Sequence, residues 1–355
     1  MNKLTRVHLD ITGKCNLRCM HCHMADFYQQ EISLENLLHI LDNIKKKGIN
    51  RITLAGGEPF IRKDILTIIS NCPEDVSIIT NGTKLNSSLL KKLRGIEEKQ
   101  SKIITMRISL DGLEANKEIR GVSCDEILKK IEMVRKYGFV TVVNTTLSKF
   151  IRVGELKRML QILEKLKVDQ WNIDIPFSEG SYKKNNLSLN LELIFTEIKG
   201  LIKTYMANSY KMKMDVVGIF SSDMIKENKQ LPILKMQDHP CSYQFGSVTI
   251  NPKGELLLCP SLHISFGRYD EIDTYRANKK WQDFRNHTRK SPKGCRSCKY
   301  LPICGGGCRA NALTYGGDLW GKDFLSCELM HFLEKDLISI YPKEVQEKFY
   351  KIIKK

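Results

Sequence analysis

Three cysteines fall within eight residues near the start of the chain, in Cys15-Asn-Leu-Arg-Cys19-Met-His-Cys22. Thiols this dense need a cause, because thiolates are costly groups that cluster when a soft metal or a disulfide framework holds them. The 355-residue chain contains 12 cysteines, seven of them after residue 240. A disulfide framework requires an oxidising compartment, and the stretch from Met1 to Asp10 has no hydrophobic export signal. Metal ligation in a cytoplasmic protein is the favoured reading. Three sulfurs are one short of the four that close a structural zinc site or an iron–sulfur cluster. A cubane held by three protein ligands leaves one iron open to a substrate or cofactor.

With 42% apolar residues the chain can bury a sizeable core, and its length suits about two domains. No apolar run reaches the ~18 residues of a membrane span. The net charge of +17 is spread evenly, +9 up to Asn208 and +8 beyond it. A nucleic-acid reader would concentrate that charge in a stripe with interleaved aromatic residues. Attraction to acidic partners is the better reading.

Strand-like and helix-like segments alternate through the first half. Strands are expected at Leu4–Thr12, Arg51–Ala55, Val76–Thr80, Ile103–Ser109, Val140–Leu147 and Gln170–Ile175. Helices are expected between them at Leu34–Lys47, Ile65–Ser70, Ser87–Arg94, Asp125–Tyr137 and Glu155–Leu166, with a closing helix at Leu189–Met206. Strands separated by helices imply parallel βαβ units, and so a partial (β/α)6 barrel with ligand residues at the strand carboxyl ends. Cys72 and Cys124 lie at a helix end and a helix start and read as structural thiols.

The Cys15-x3-Cys19-x2-Cys22 spacing directly after a first strand resembles the radical S-adenosylmethionine (SAM) superfamily. The resemblance implies a [4Fe–4S] cluster on Cys15, Cys19 and Cys22 whose open iron binds SAM. SAM would then be cleaved to a 5′-deoxyadenosyl radical that abstracts a substrate hydrogen. It also implies an electron donor such as flavodoxin or ferredoxin. His21 takes the position that lies near the adenine. Strand Arg51–Ala55 ends in Gly56-Gly57-Glu58-Pro59, where glycines allow close backbone approach and Glu58 can accept from an ammonium group. By resemblance this is the SAM amino-group contact. Ser109 and Arg120 stand where ribose and carboxylate contacts occur, and Asn144 ends the next strand. Each has a plain structural reading as well: Gly-Gly is a turn, and Arg120 can be a surface ion pair.

The last third carries a longer signature: Cys241-x12-Gly254-x4-Cys259, then Cys295-x2-Cys298-x5-Cys304-x3-Cys308 and, after 18 residues, Cys327. The first piece reads as a hairpin, Val248–Ile250 and Glu255–Cys259, around Asn251-Pro252-Lys253-Gly254. Cys295-x2-Cys298 alone would suit a zinc ribbon, but seven ligands in this pattern fit no common zinc module. The whole resembles the seven-cysteine SPASM extension, which holds auxiliary [4Fe–4S] clusters. The resemblance assigns Cys295, Cys298, Cys304 and Cys327 to a distal cluster. It assigns Cys241, Cys259 and Cys308 to one nearer the core, whose fourth iron is either open or bound by Asp238 or His239. The expected organisation is a radical SAM core at 1–208, a bridge at 209–240 and an auxiliary domain at 241–355, with three clusters in all.

Enzymes with this extension mostly modify peptides and proteins, so a ribosomally made peptide, with an acidic leader as one possibility, is the expected substrate. The motif begins at Cys15 and leaves no room before it for a leader-binding domain of the size many peptide maturases carry. Cys259 is followed by Pro260 and Ser261, whereas sulfatase-maturing enzymes carry an aspartate there, which counts against that subfamily. A small-molecule reaction, such as tetrapyrrole decarboxylation or alcohol dehydrogenation, is the alternative. A zinc-rich binding module is the non-enzymatic one. No catalytic base stands out; Asp174 and Ser178 are strand-end candidates for facing the cavity. Lys343–Lys355 reads as an amphipathic surface helix without an assigned role.

Overall fold

A computed structural model describes residues 4–25, 28–226, 246–272, 274, 277–288 and 292–354. Cys241, Asp238 and His239 lie outside them. The elements alternate as the sequence implies: β1 (Arg6–Thr12), α1 (Leu34–Lys46), β2 (Arg51–Gly56), α2 (Ile65–Asn71), β3 (Asp75–Thr80), α3 (Ser87–Gln100) and β4 (Ile103–Ser109). A short helix α4 (Ala115–Arg120) precedes α5 (Cys124–Lys136), β5 (Val140–Thr146), α6 (Glu155–Lys165) and β6 (Gln170–Asp174). There follow α7 (Ser181–Lys184), α8 (Leu191–Met206), β7 (Lys213–Val216), β8 (Phe220–Ser221) and α9 (Ser222–Lys226). The last third contains β9 (Ser247–Ile250), β10 (Glu255–Cys259), β11 (Leu262–Arg268) and helices α10 (Lys279–Thr288), α11 (Leu301–Cys304), α12 (Arg309–Gly316), α13 (Phe324–Phe332) and α14 (Lys343–Ile353).

β1 to β7 pair in parallel in chain order, giving the open α/β sheet of a partial barrel. The strands show why the sheet has two chemically different faces. Ile104, Met106 and Ile108 of β4, Val143 of β5, and Trp171 and Ile173 of β6 are buried in the apolar core. Alternate positions carry Arg107, Ser109, Asn144, Gln170, Asn172, Asp174 and Asp215, which period-2 geometry turns to the opposite face. A parallel sheet covered on both faces would be apolar on both. Here the second face is reserved for polar contacts.

Two features depart from the sequence reading. α3 runs to Gln100 instead of stopping at Arg94, because the expected stop at Gly95 has open space around it and Ser101, at φ +50°, provides the left-handed cap. The sheet also continues past the six strands expected of the core and the two expected of the hairpin to eleven among the described residues, in the order β11-β10-β9-β1-β2-β3-β4-β5-β6-β7-β8. The expected hairpin forms, and β9 lies parallel to β1 with Arg6 opposite Ser247 and Leu9 opposite Ile250. The C-terminal helices close on the same core: Phe195 of α8 stacks on Phe332 of α13 at 4.3 Å, and the buried Tyr341 hydroxyl donates to the Ile219 carbonyl at 2.9 Å.

The loop after β4 is anchored by a buried carboxylate. Glu155, at the start of α6, has no exposed surface, and its Oε1 accepts from the backbone N–H groups of Leu113, Glu114 and Ala115. Its Oε2 accepts from Arg152 N at 2.8 Å. The acid neutralises the free N–H groups at the N-terminus of α4, where the helix dipole also favours negative charge. Replacing Glu155 with Ala is expected to lower unfolding free energy by about 2–4 kcal/mol, the cost of stranding several buried N–H donors. A denaturant titration checks this, and a change below about 1 kcal/mol would show the anchor to be dispensable.

Candidate active site

The first thiol loop leaves β1 at Thr12 and is clamped at once by the end of β2. Gly57 N donates to Thr12 O at 2.7 Å and Glu58 N to Lys14 O at 2.9 Å. A Cβ at Gly56, whose φ is +118°, would meet Thr12 O at 2.2 Å, and one at Gly57 would meet Lys14 O at 2.0 Å. The paired glycines therefore let two backbones touch where a side chain would separate them. Pro59 opens a single 3-10 turn, Pro59–Ile61, that carries the chain away.

Cys15, Cys19 and Cys22 are half-buried, and their sulfurs are met by donors. Cys15 Sγ accepts from Leu17 N at 3.4 Å and Asn81 Nδ2 at 3.8 Å, and Cys19 Sγ accepts from Arg120 Nη1 at 3.9 Å. Backbone N–H groups of Met24 and Ala25 point to Cys22. Burial, helped by the neighbouring Cys22, Asp111 and Cys15, pushes the Cys19 thiol up to about 11, with Arg120 as the opposing influence. Donors aimed at each of the three sulfurs fit thiolates bound to an electropositive metal centre, which deprotonates its ligands outright.

Behind this loop lies an ion pair that the sequence reading did not single out. Asp111 has no exposed surface; its Oδ2 accepts from Arg120 Nε at 2.6 Å and stands 3.2 Å from His21 Nε2, while Oδ1 accepts from Thr146 N at 2.8 Å. Burial would raise the Asp111 carboxyl, but Arg120 and His21 hold it below the usual range. Burial also lowers His21 to about 4. Arg120 is thus no surface residue: it is pinned beside Cys19 by a buried acid. His21 Nδ1 is buried with no hydrogen-bond partner among the described residues, a gap in the bonding pattern that a ligand atom would fill.

Glu58 stands apart from the open site. It is fully buried, Oε1 accepts from Phe60 N at 3.1 Å and Thr80 Oγ1 at 2.8 Å, and Oε2 accepts from Asn81 N at 2.7 Å. Its visible task is to lock the ends of β2 and β3 together, and through Asn81 to support Cys15. Ser109, the last residue of β4, pairs in register with Asn144, two residues before the end of β5, on the polar face. Asp174 ends β6 on the same face, accessible to solvent, with its carboxyl raised by burial and by Asp215 against the pull of Arg107. Ser178 lies in the loop beyond, which crosses back to the first thiol loop where Ser181 N donates to Cys22 O at 2.9 Å.

The C-terminal thiols form a second locus. Cys295, Cys298, Cys304 and Cys327 lie close enough to interact: Cys298 raises the proton affinity of Cys295, Cys327 and Cys295 raise that of Cys304, and Cys295 and Cys298 raise that of Cys327. Gly305, Gly306 and Gly307 are all left-handed, at φ +60°, +88° and +78°, which folds the chain tightly between Cys304 and Cys308. Buried Asp323 accepts from Cys308 N at 2.8 Å and caps α13 by accepting from Ser326 N at 3.1 Å. Cys259 ends β10. Among the described residues no three Cys, His, Asp or Glu side chains stand close enough to hold a single metal ion, so no described set is preformed for one zinc.

The Radical SAM superfamily profile matches residues 9–163. Among characterised proteins, an AdoMet-dependent heme synthase of Methanosarcina barkeri is 25% identical over 334 residues, spanning 87% of this chain and 92% of the relative. A probable GTP 3′,8-cyclase of Archaeoglobus fulgidus is 34% identical over 137 residues, covering 38% of this chain. The match spans only 44% of that cyclase's length. Streptococcus suis SuiB bound to its precursor peptide SuiA shares the fold with a TM-score of 0.73 at 19% identity, over 92% of this chain and 76% of SuiB. So does anSMEcpe with bound AdoMet and Cp18Cys peptide, with a TM-score of 0.69 at 14% identity and 98% of each chain covered.

The glycine clamp yields a direct test. Gly57→Ala forces the Lys14 carbonyl, and with it Cys15, to move, so anaerobic reconstitution is expected to load about four fewer irons per chain. Undiminished iron in this variant would show that the clamp does not set the first site.

Proposed function

Residues 9–163 are a radical SAM domain and the chain is an iron–sulfur enzyme; from that premise we propose that it modifies a ribosomally synthesised peptide, by cross-linking, oxidation or epimerisation. The observation that carries this reading is the extent of the shared fold: it reaches over 92–98% of the chain in proteins solved with peptides bound. Cys15, Cys19 and Cys22 would hold the SAM-binding cluster, which together with SAM supplies a 5′-deoxyadenosyl radical when bound. Around it the chain's own residues act by position. Asp111 fixes Arg120 as a permanent positive charge beside the sulfurs and toward a SAM carboxylate, and orients His21 toward the adenine. Gly56, Gly57, Glu58 and Pro59 shape the amino-group subsite, and Ser109 and Asn144 offer hydrogen bonds from β4 and β5. The C-terminal third reads as a SPASM domain with two auxiliary [4Fe–4S] clusters, one on Cys295, Cys298, Cys304 and Cys327 and one on Cys241, Cys259 and Cys308. Flavodoxin or ferredoxin suits the electron-donor role, and the net charge of +17 suits an acidic leader.

One observation favours a second reading. The heme synthase and an Fe-coproporphyrin III synthase of Methanosarcina barkeri align along 87% and 88% of this chain, so an iron tetrapyrrole is the alternative substrate.

The test is anaerobic reconstitution followed by incubation with SAM, reductant and either a short peptide encoded beside the gene or an iron tetrapyrrole. About 10–12 irons per chain and release of 5′-deoxyadenosine are expected. Loss of hydrogen from the peptide, or deuterium uptake at unchanged composition, supports peptide modification. SAM turnover with an untouched peptide and an altered tetrapyrrole transfers the assignment to the second reading. Zinc without iron would overturn both.

A further inference from the structure

Asn144 does not stand alone on β5. Strand register places Ser109, Asn144, Asn172 and Asp215 side by side across β4, β5, β6 and β7, all on the polar face. Arg107 and Gln170 lie two residues earlier on β4 and β6. The hydrogen bonds among them run in one direction. Gln170 Nε2 donates to Asp215 Oδ2 at 2.9 Å and to Asn172 Oδ1 at 2.7 Å. Asn172 Nδ2 then donates to Asn144 Oδ1 at 3.1 Å, and Arg107 Nη2 reaches the same oxygen at 3.4 Å.

The direction is dictated by the ends, because an amide can be flipped but these ends cannot. A carboxylate only accepts, so Asp215 must face the NH2 group of Gln170. A guanidinium only donates, so Arg107 must face the oxygen of Asn144. The three amides between them, Gln170, Asn172 and Asn144, have a single arrangement that satisfies both ends, and each bond in such a chain polarises the next. The consequence is at the far end. With its oxygen occupied twice, Asn144 presents its NH2 group, half-buried and next to Ser109, and no described neighbour accepts from it.

We propose that Arg107, Gln170, Asn172 and Asp215 are positioning residues that hold Asn144 as a hydrogen-bond donor toward an oxygen of SAM. This rests on the reading of Ser109 and Asn144 as SAM contacts. It adds that the contact is oriented from two strands away, by residues that do not touch the cofactor. A packing role and an orienting role make opposite predictions for substitution. Aspartate is nearly the shape of asparagine, so packing alone tolerates Asn172→Asp better than Asn172→Ala. An orienting ladder ranks them the other way. A carboxylate at this position cannot donate, draws the Asn144 NH2 group onto itself and reverses the donor. A methyl group there leaves Arg107 still holding the Asn144 oxygen.

SAM binding to the anaerobically reconstituted protein, measured by equilibrium dialysis with labelled SAM and by the change in the reduced cluster's electron paramagnetic resonance spectrum, decides the matter. Asn172→Asp and Asn144→Asp are each expected to weaken SAM binding about tenfold, the scale of one hydrogen bond, and Asn172→Ala about threefold. Unchanged SAM binding in Asn144→Asp, or Asn172→Ala binding more weakly than Asn172→Asp, overturns the ladder. Failure of the unsubstituted, iron-loaded protein to bind SAM would instead sink the SAM-site reading itself. Should Asn172→Asp not fold, Gln170→Leu cuts the same chain, leaves Arg107 in place and is expected to match Asn172→Ala at about threefold. Tight binding in that variant overturns the proposal.

Discussion

The contact on which the structure turns is the meeting of two backbones, Gly57 against Thr12 and Glu58 against Lys14, at 2.7 and 2.9 Å. Parallel strands ordinarily diverge at their ends, where loops carry functional groups and freedom of movement. Here the end of β2 runs into the loop leaving β1, and the absence of two Cβ atoms makes the approach possible. The loop that carries the first thiols is thereby fixed to the sheet before any metal is considered. Glu58 extends the same logic to β3 through Thr80 and Asn81. Asn81 in turn points its amide at Cys15 Sγ. Preorganisation of this kind matters for a cluster, because a site that must be assembled loses affinity to the ordering cost.

Electrostatics imposes the second constraint. Three partly buried thiolates repel one another, and each carries a desolvation cost that no neutral surrounding can meet. The chain places a buried guanidinium beside Cys19, and a buried acid to keep that guanidinium in place. An isolated buried ion pair is weak evidence for stability. This one has a different use: Asp111 holds Arg120 and His21 on one carboxylate oxygen, so that charge and ring are oriented together.

The sequence displayed the parts that depend on spacing and hid those that depend on distance. Cysteine intervals, glycine pairs and strand alternation are local patterns, and the parallel strands and hairpin form where those patterns lie. The pairing of β9 with β1 joins residues 247 and 6, and nothing in a four-residue apolar run names so distant a partner. Asp111 went unmarked in the sequence because its partners lie nine residues ahead and ninety behind. Glu155 read as a helix-start acid, when its carboxylate in fact caps a different helix. Gln170, Asn172 and Asp215 alternate with apolar residues, the ordinary signature of a solvated sheet face.

That last case shows how a sheet can be a functional device instead of a scaffold alone. Strand register makes a row of side chains from four neighbouring strands, and alternation puts that row on one face. When the row is polar and its ends are charged, hydrogen-bond direction is inherited from one strand to the next. Asn144 is oriented by a carboxylate on β7 that register alone puts in its row, two strands away. The same geometry places Asp174 one step above the row, at the mouth of the polar face, where burial raises its carboxyl and solvent still reaches it. The cysteines made the enzyme class legible, whereas the order on this polar face of β4 to β7 is legible only from strand register.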